Sequence, residues 1–170
     1  MFENSSILIT GGTGSFGHTF VPMLLERFNP RKVIIFSRDE MKQWEMAKLY
    51  PNDNRVRFFI GDVRDKDRLA RSMVHAAWTG VDDADAIVHV VDAPAFFRQR
   101  NSEGDAQDRL ATEDTERVIA GLKDRKRGKI FLALNKIDEI ERDKLLELIA
   151  YFNTTEVYAE VFLISALNHD

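Results

Sequence analysis

The chain has 170 residues, no cysteine and a formal net charge of −4. That length fits one globular domain with a substantial core, and the mild acidity points to no particular class of partner. Without cysteine the chain has no disulfide framework, no thiolate nucleophile and no zinc–cysteine site. No segment is apolar for long enough to span a bilayer, and the polar start is unlike a signal peptide, so we expect a soluble cytoplasmic protein.

Short apolar runs alternate with helical patterns along the whole chain. Six runs predict buried strands, at residues 7–9, 32–36, 56–60, 86–91, 129–134 and 160–164. Helices are predicted from Phe16 to Phe28, from Asp39 to about Tyr50, from about Asp65 to Trp78, from Thr112 to Leu122, and around Leu145 to Phe152.

Residues 93–111 are polar and rich in charge, which predicts a loop with at most one helical turn. Thr112, followed by Glu113 and Asp114, has the pattern of a capped helix start. The aromatic residues of the apolar runs are expected in the core of the strands. They are Phe58, Phe59, Phe131 and Phe162.

Strict alternation of strands and helices, with strands apolar on both faces, is typical of an α/β fold with a parallel sheet. We expect one domain over residues 1–170, a single doubly wound sheet in a Rossmann-like three-layer α/β/α sandwich. Right-handed crossovers favour the strand order 3-2-1-4-5-6. Ligands would then bind at the carboxyl ends of the strands, between strands 1 and 4.

A glycine-rich turn, TGGTGSFG at residues 10–17, follows the first predicted strand and opens the first helix. Gly11 allows a tight turn, Gly14 lets the backbone approach a pyrophosphate, and Gly17 lets helix and strand pack closely. The amide groups that open the helix point at the anion, and the helix dipole favours its charge. The turn therefore predicts a phosphate-binding loop.

Residues 6–69 resemble the UDP-N-acetylglucosamine 4,6-dehydratases of bacterial surface-glycan synthesis, in the extended short-chain dehydrogenase/reductase superfamily. The matching stretches are ITGGTGSFG at 9–17, FSRDE at 36–40 and FFIGDVRD at 58–65. The resemblance implies that they meet the pyrophosphate, the adenosine ribose with its 2′-phosphate, and the adenine, in that order. The implied cofactor-binding residues are Gly11, Thr13, Gly14, Ser15, Phe16, Gly17, Ser37, Arg38, Asp39, Lys42, Asp62 and Val63.

The residues after the second strand favour NADP over NAD. An NAD site usually has an acidic residue at the end of strand 2, which holds the ribose 2′-hydroxyl. Here that place is taken by Ser37 and Arg38, and a guanidinium binds a phosphate well. Lys42, one helical turn further on, could add positive charge.

From about residue 71 the chain resembles the Era-type GTPases of ribosome assembly instead. The matching stretches are MVHAAW at 73–78, DAIV at 85–88, VDA at 91–93, LNKID at 134–138 and ISAL at 164–167. The resemblance implies that Asp138 accepts hydrogen bonds from guanine and that Asn135 supports the loop. It also implies that Lys136 lies along the base. The Ala166 amide, in the pair formed with Ser165, would meet the guanine oxygen.

The change of resemblance inside one domain indicates a chimera, most simply an engineered one, with a seam near residues 68–73. Neither parent is complete. No Tyr is followed by Lys four positions later, as the dehydratase active site requires, and the GTPase phosphate loop and magnesium motif are missing. We therefore expect no catalytic residues and no metal site, with NADP binding at most. The alternatives are GDP or GTP binding, or a chain built to test fold compatibility, without a ligand.

Other patterns in the sequence support weaker hypotheses. Residues 12–19 nearly match a Walker A loop, but His18 stands where the phosphate-binding lysine belongs. Asp62 and Asp92 end strands and could ligate Mg²⁺, but no further carboxylate at a known spacing supports this. The basic run 123–129 at a helix end complements the dipole, so we expect no nucleic-acid partner.

Overall fold

The computed structural model describes residues 2–61, 84–123 and 128–166. Its strands form one six-stranded parallel sheet in the order β3-β2-β1-β4-β5-β6. This confirms the predicted fold class and strand order. The strands are β1 (Ser6–Thr10), β2 (Lys32–Ser37), β3 (Val56–Ile60), β4 (Ala86–Asp92), β5 (Lys129–Asn135) and β6 (Glu160–Ile164).

Helices cover both faces of the sheet. They are α1 (Ser15–Arg27), α2 (Glu40–Ala47), α3 (Ala93–Arg100), α4 (Ala106–Lys123) and α5 (Arg142–Thr154), with a 3₁₀ turn at Ile137–Glu139. The helix α2 ends at Ala47 rather than near Tyr50, and the predicted helix 65–78 lies outside the described residues. Among the helices that the structure describes, none has the length and apolar character needed to cross a bilayer.

The core has two layers because the strands are apolar on both faces. Ile7 and Ile9 face α1 and α2, where they pack with Leu24 and Met46. Leu8 faces the other side, where α4 packs over it, while α3, α4 and α5 cover the strands β4 and β5. This two-sided burial is what a parallel sheet with crossover helices requires.

Strand β4 lies directly beside β1. In the register of this pair, Ile7 is opposite Ala86 and Ile9 is opposite Val88. On one side of this pair the sheet continues from β1 to β2 and β3, and on the other side it continues from β4 to β5 and β6. Open α/β sheets bind ligands at such a switch point, at the carboxyl ends of the strands. The glycine turn, the end of β2 and the end of β4 all meet at this edge.

The prediction of a loop over residues 93–111 was wrong, because two helices occupy most of it. Helix α3 begins at Ala93, with the Asp92 side chain accepting a hydrogen bond from the Ala95 amide at 3.0 Å. Helix α4 begins at Ala106 rather than at Thr112. The carboxylate of Asp105 caps it by accepting from the amides of residues 107 and 108.

The prediction that Phe162 belongs to the strand core was also wrong. Its residue surface is 41% exposed, whereas Phe131 on the neighbouring strand is 1% exposed. The strand β6 is the edge of the sheet, and a cavity of about 440 Å³ separates it from α1. Phe162 lines this cavity together with Phe16 and Phe20 instead of packing against a helix.

Candidate functional site

The glycine turn between β1 and α1 has the geometry of a tight backbone cradle. Gly11 has a φ of +64°, a backbone conformation that residues with a side chain rarely adopt. Its amide donates to the Phe36 carbonyl at 2.9 Å. The Gly14 amide donates back to the Gly11 carbonyl at 3.3 Å, and Gly14 is the N-cap of α1. The N-cap residue Gly14 has no side chain that could cap the helix start, and the first turn of α1 has no acidic residue. The first amides of α1 are therefore suited to an anion.

Gly17 brings the helix α1 against the turn. A Cβ added at Gly17 would lie 1.7 Å from the carbonyl oxygen of Gly12, which is far inside contact distance. Among the described residues, a Cβ added at Gly14 would meet only the Gly11 carbonyl oxygen, at 3.7 Å, which is ordinary van der Waals contact. The structure thus requires glycine at position 17 for packing, while Gly14 leaves its outer face open.

The side chains of the turn contribute to the protein interior more than to its surface. The hydroxyls of Thr13 and Ser37 lie 2.9 Å apart and are buried, so they tie the turn to the end of β2. Phe16 is buried and its ring stacks on Phe20 with centroids 4.9 Å apart. At Thr13 and Phe16, therefore, the backbone but not the side chain is suited to contact a ligand. Ser15, by contrast, is partly exposed.

A glutamine that sequence reasoning missed holds the ends of β2 and β3 together. The buried Gln43 amide donates to the carbonyls of Ser37 and Phe59, at 2.8 and 2.7 Å. Nearby, Asp39 caps α2 by accepting from the Lys42 amide at 3.0 Å, and this amide lowers the pKa of the Asp39 carboxyl. The Lys42 ammonium lies 3.5 Å from the same carboxylate. Asp39 thus serves as the N-cap of α2.

A cavity of about 250 Å³ opens at the carboxyl ends of β1, β2 and β4, beside the glycine turn. Helix α4 forms its far wall, with Asp114, Thr115 and Val118. The remaining lining residues come from the strand ends and the turns after them. They are Thr10, Gly11, Phe36, Ser37, Arg38, Gly61, His89, Val90 and Asp92. Ala111 of α4 also lines the cavity.

The Arg38 guanidinium does not point freely into solvent. Its Nη1 donates to Oδ2 of Asp114 at 2.6 Å, which links the end of β2 to the middle of α4. Arg117 on the same helix lies 3.8 Å from the other carboxylate oxygen of Asp114. The residue predicted to bind a 2′-phosphate is thus already paired with a carboxylate at the wall of the cavity.

The residues predicted for guanine binding lie at the ends of β5 and β6. The buried Asn135 accepts a hydrogen bond from the Ala166 amide at 3.3 Å, so the two predicted residues contact each other. Lys136 has a φ of +63°, and its ammonium lies 2.7 Å from Asp92, which raises the pKa of Lys136. Ser165 is buried, and Asp138 is exposed on the 3₁₀ turn.

A buried polar pair lies under the cavity. The Nδ1 of His89 on β4 lies 2.7 Å from the hydroxyl of Tyr158. Burial lowers the pKa of His89 to about 3, and burial also raises the pKa of Tyr158. Both groups are therefore neutral near pH 7, and they satisfy each other rather than act as an acid–base pair on a ligand.

The structure thus brings together one group of predicted residues and leaves another apart. Gly11, Ser37 and Arg38 line the cavity, and residues 12–17 form the turn and helix start that follow Gly11, whereas Asp62 and Val63 lie outside the described residues. Asp114 and Gln43 were missed because no local motif marks them. Within residues 2–61, 84–123 and 128–166, no group of three or more His, Asp or Glu could hold a metal ion.

Two curated proteins are similar to parts of this chain. UDP-N-acetylglucosamine 4,6-dehydratase (inverting) of Campylobacter jejuni is 55% identical over 83 residues, covering 45% of this chain and 25% of that protein. GTPase Era of Maricaulis maris is 46% identical over 101 residues, covering 59% of this chain and 32% of that protein. The chain therefore spans only about a quarter to a third of the length of these relatives. It resembles a dehydratase and a GTPase in different regions.

Solved structures agree with the fold. The structure of Pen from Bacillus thuringiensis superposes with a TM-score of 0.66 at 21% identity, covering 97% of this chain and 51% of that one.

The profile of the family described as "Polysaccharide biosynthesis protein" matches residues 7–98. This match includes most of β1, the glycine turn, β2 to β4 and most of α3, and it runs past the predicted seam. Because it covers more than half of the 170 residues, the chain belongs to the polysaccharide biosynthesis protein family.

Proposed function

We propose that this chain is a Rossmann domain that binds NADP(H) at the carboxyl ends of β1 and β2. The observation that supports this best is the uncapped start of α1 beside a cavity lined by Gly11, Ser37 and Arg38. The pyrophosphate would bind the amides of residues 14–17, and the 2′-phosphate would bind Arg38 and Lys42. The predicted adenine contacts are Asp62 and Val63.

We further propose that the chain catalyses nothing by itself. None of its tyrosines has a lysine four positions later, and Tyr158 is hydrogen-bonded to His89. The similarity to a dehydratase in one region and a GTPase in another supports a chimera with its seam near residues 68–73, outside the described residues. We expect no turnover of UDP-N-acetylglucosamine and no hydrolysis of GTP in assays that contain the respective natural enzyme as a positive control.

Binding is tested by titrating the chain into NADPH and into NADH and following the nicotinamide fluorescence. Replacing Arg38 with Ala should weaken NADPH binding by about tenfold, because a charge-assisted hydrogen bond to phosphate is worth roughly 1.5–3 kcal/mol. The affinity for NADH, which lacks the 2′-phosphate, should fall by less than about twofold in the same variant.

The matched control is Arg31→Ala. Arg31 precedes β2, so it lies at the opposite end of the strand from the cavity, and it pairs there with Asp85. The substitution therefore removes the same charge far from the cavity. This variant should bind both cofactors like the wild type. Equal losses of NADPH and NADH in Arg38→Ala would contradict the phosphate role, and no binding of either cofactor by the wild type would end the proposal.

A second candidate is GDP or GTP binding through Asn135, Lys136, Asp138, Ser165 and Ala166. It is favoured by the similarity to GTPase Era and by the exposure of Asp138 on the 3₁₀ turn. If Asp138 binds the guanine N–H groups, Asp138→Asn should abolish GDP binding and create binding of xanthosine diphosphate. NADPH binding by the same variant should not change, which separates the two candidate sites. Calorimetry that shows no difference between the two diphosphates would exclude guanine recognition.

A further inference from the structure

The ion pair between Arg38 and Asp114 connects two distant parts of the chain across the cavity. Arg38 lies in the turn after β2, and Asp114 lies in the third turn of α4, 76 positions later. The 2.6 Å distance between Nη1 and Oδ2 is that of a charge-assisted hydrogen bond. The Asp114 side chain is only 22% exposed, so water screens it less than an ordinary surface carboxylate.

Both members of the pair line the cavity where the adenosine ribose would bind. Ser37, Gly61 and Thr115 line the same cavity, and Ser37 is the residue directly before Arg38. A phosphate held by the Arg38 guanidinium would therefore lie near the Asp114 carboxylate. The carboxylate already takes one of the guanidinium donors, and like charges at such short range repel each other.

We infer that Asp114 sets the choice between nucleotides with and without a 2′-phosphate, by opposing the attraction that Arg38 exerts. This rests on the proposed function, since it concerns the same site. Asp114 lowers the affinity for a 2′-phosphate and leaves the affinity for a nucleotide with a free 2′-hydroxyl nearly unchanged. The selectivity of a loop in the N-terminal region is then determined by a residue of a helix in the C-terminal region.

The test compares adenosine 2′,5′-bisphosphate with adenosine 5′-monophosphate by calorimetry, using the whole chain. In Asp114→Asn, which removes the charge and keeps the shape, the bisphosphate should bind about tenfold more tightly. The affinity for the monophosphate should change by less than about twofold. In the Arg38→Ala background, the same substitution should improve bisphosphate binding by much less, because the released guanidinium is absent.

The matched control is Glu113→Gln. Glu113 precedes Asp114 on the same helix and lies 3.7 Å from Arg117, but it is not among the cavity-lining residues. It should bind both probes like the wild type, and thermal unfolding should establish that each variant is folded. If Asp114→Asn does not fold, Asp114→Ser replaces it with the same expected result.

Each outcome decides between the inference and the proposed function. Equal changes for the two probes, no change, or a similar gain in Glu113→Gln would overturn the inference and leave nucleotide binding intact. If the wild type and the variants bind neither probe, both the inference and the proposed function are wrong.

Discussion

The loops after β1 and β5 both have sequence patterns of nucleotide-binding proteins, but they differ in which groups remain for a ligand. The loop after β1 is shaped by glycines, and the N-cap of α1 is Gly14, which has no side chain to cap the helix. In the loop after β5, Asn135 contacts the Ala166 amide and Lys136 contacts Asp92. The first loop therefore offers backbone to a ligand, whereas the second uses its polar side chains to connect strands.

A side-chain motif and a backbone motif differ in how strongly they depend on the residues around them. Backbone amides at a helix start point outward whatever surrounds them, provided that the glycines allow the close packing. Side chains such as Asn135 form whichever hydrogen bonds the local structure offers, and burial makes those bonds costly to give up. We therefore favour dinucleotide binding over guanine binding.

The largest expected effect comes from adding one methyl group to the glycine turn. Gly17→Ala would place a Cβ 1.7 Å from the Gly12 carbonyl oxygen, so α1 or the turn must move. Such overpacking should lower the free energy of unfolding by about 3 kcal/mol, measured by urea denaturation.

The control for this change is Gly14→Ala in the same turn. Its Cβ would lie 3.7 Å from the Gly11 carbonyl oxygen, so stability should change by less than about 0.5 kcal/mol. NADPH binding should nevertheless weaken, because the added methyl group lies where the pyrophosphate approaches. If the two variants are equally stable, Gly17 is not required for the packing of α1.

The next effect concerns the buried histidine of β4. The pKa of His89 is about 3 in the folded protein and near its ordinary value of 6.5 when unfolded. Between these values the unfolded chain binds more protons, so stability falls as the pH falls from about 6.5 towards 3. From pH 7.5 to pH 5, His89 alone should cost about 2 kcal/mol of unfolding free energy.

Urea denaturation of the wild type and of His89→Gln at both pH values isolates this contribution. Glutamine does not titrate and can still form a hydrogen bond with Tyr158, so all other groups cancel in the difference. The variant should lose about 2 kcal/mol less than the wild type on acidification. Parallel losses in the two proteins would show that His89 is protonated in the native state.

Sequence reasoning found the sheet, but it missed helix α3 and the first six residues of α4. The strands are uninterrupted apolar runs, and the glycine turn fixes the position of β1, so the strand order follows from general rules. Helix α4 contains few apolar residues at its start, and α3 has only eight residues. They depend on caps from Asp92 and Asp105 and on the ion pair between Arg98 and Asp108, whose Nε and Oδ2 lie 2.8 Å apart. These contacts are visible only once the helices exist.

The candidate site was also predictable only in part from the sequence. Residues 11–17, Ser37 and Arg38 form contiguous motifs after apolar runs, and Gly11, Ser37 and Arg38 line one cavity. The opposite wall comes from α4, in a stretch predicted partly as a loop. Asp114 could not be assigned to the site because its partner Arg38 is 76 positions away and no local spacing relates them.

The smallest expected effect tests whether Asn135 is structural. Asn135→Ala removes the acceptor of the Ala166 amide from a buried position, and this should cost about 1–2 kcal/mol of unfolding free energy. The ion pair of Lys136 with Asp92 is partly exposed, so Lys136→Met should cost less, below about 1 kcal/mol. Urea denaturation of both variants measures the order of these losses. The opposite order would mean that the β5 loop is held by its surface charge, which would leave Asn135 free for a guanine nucleotide.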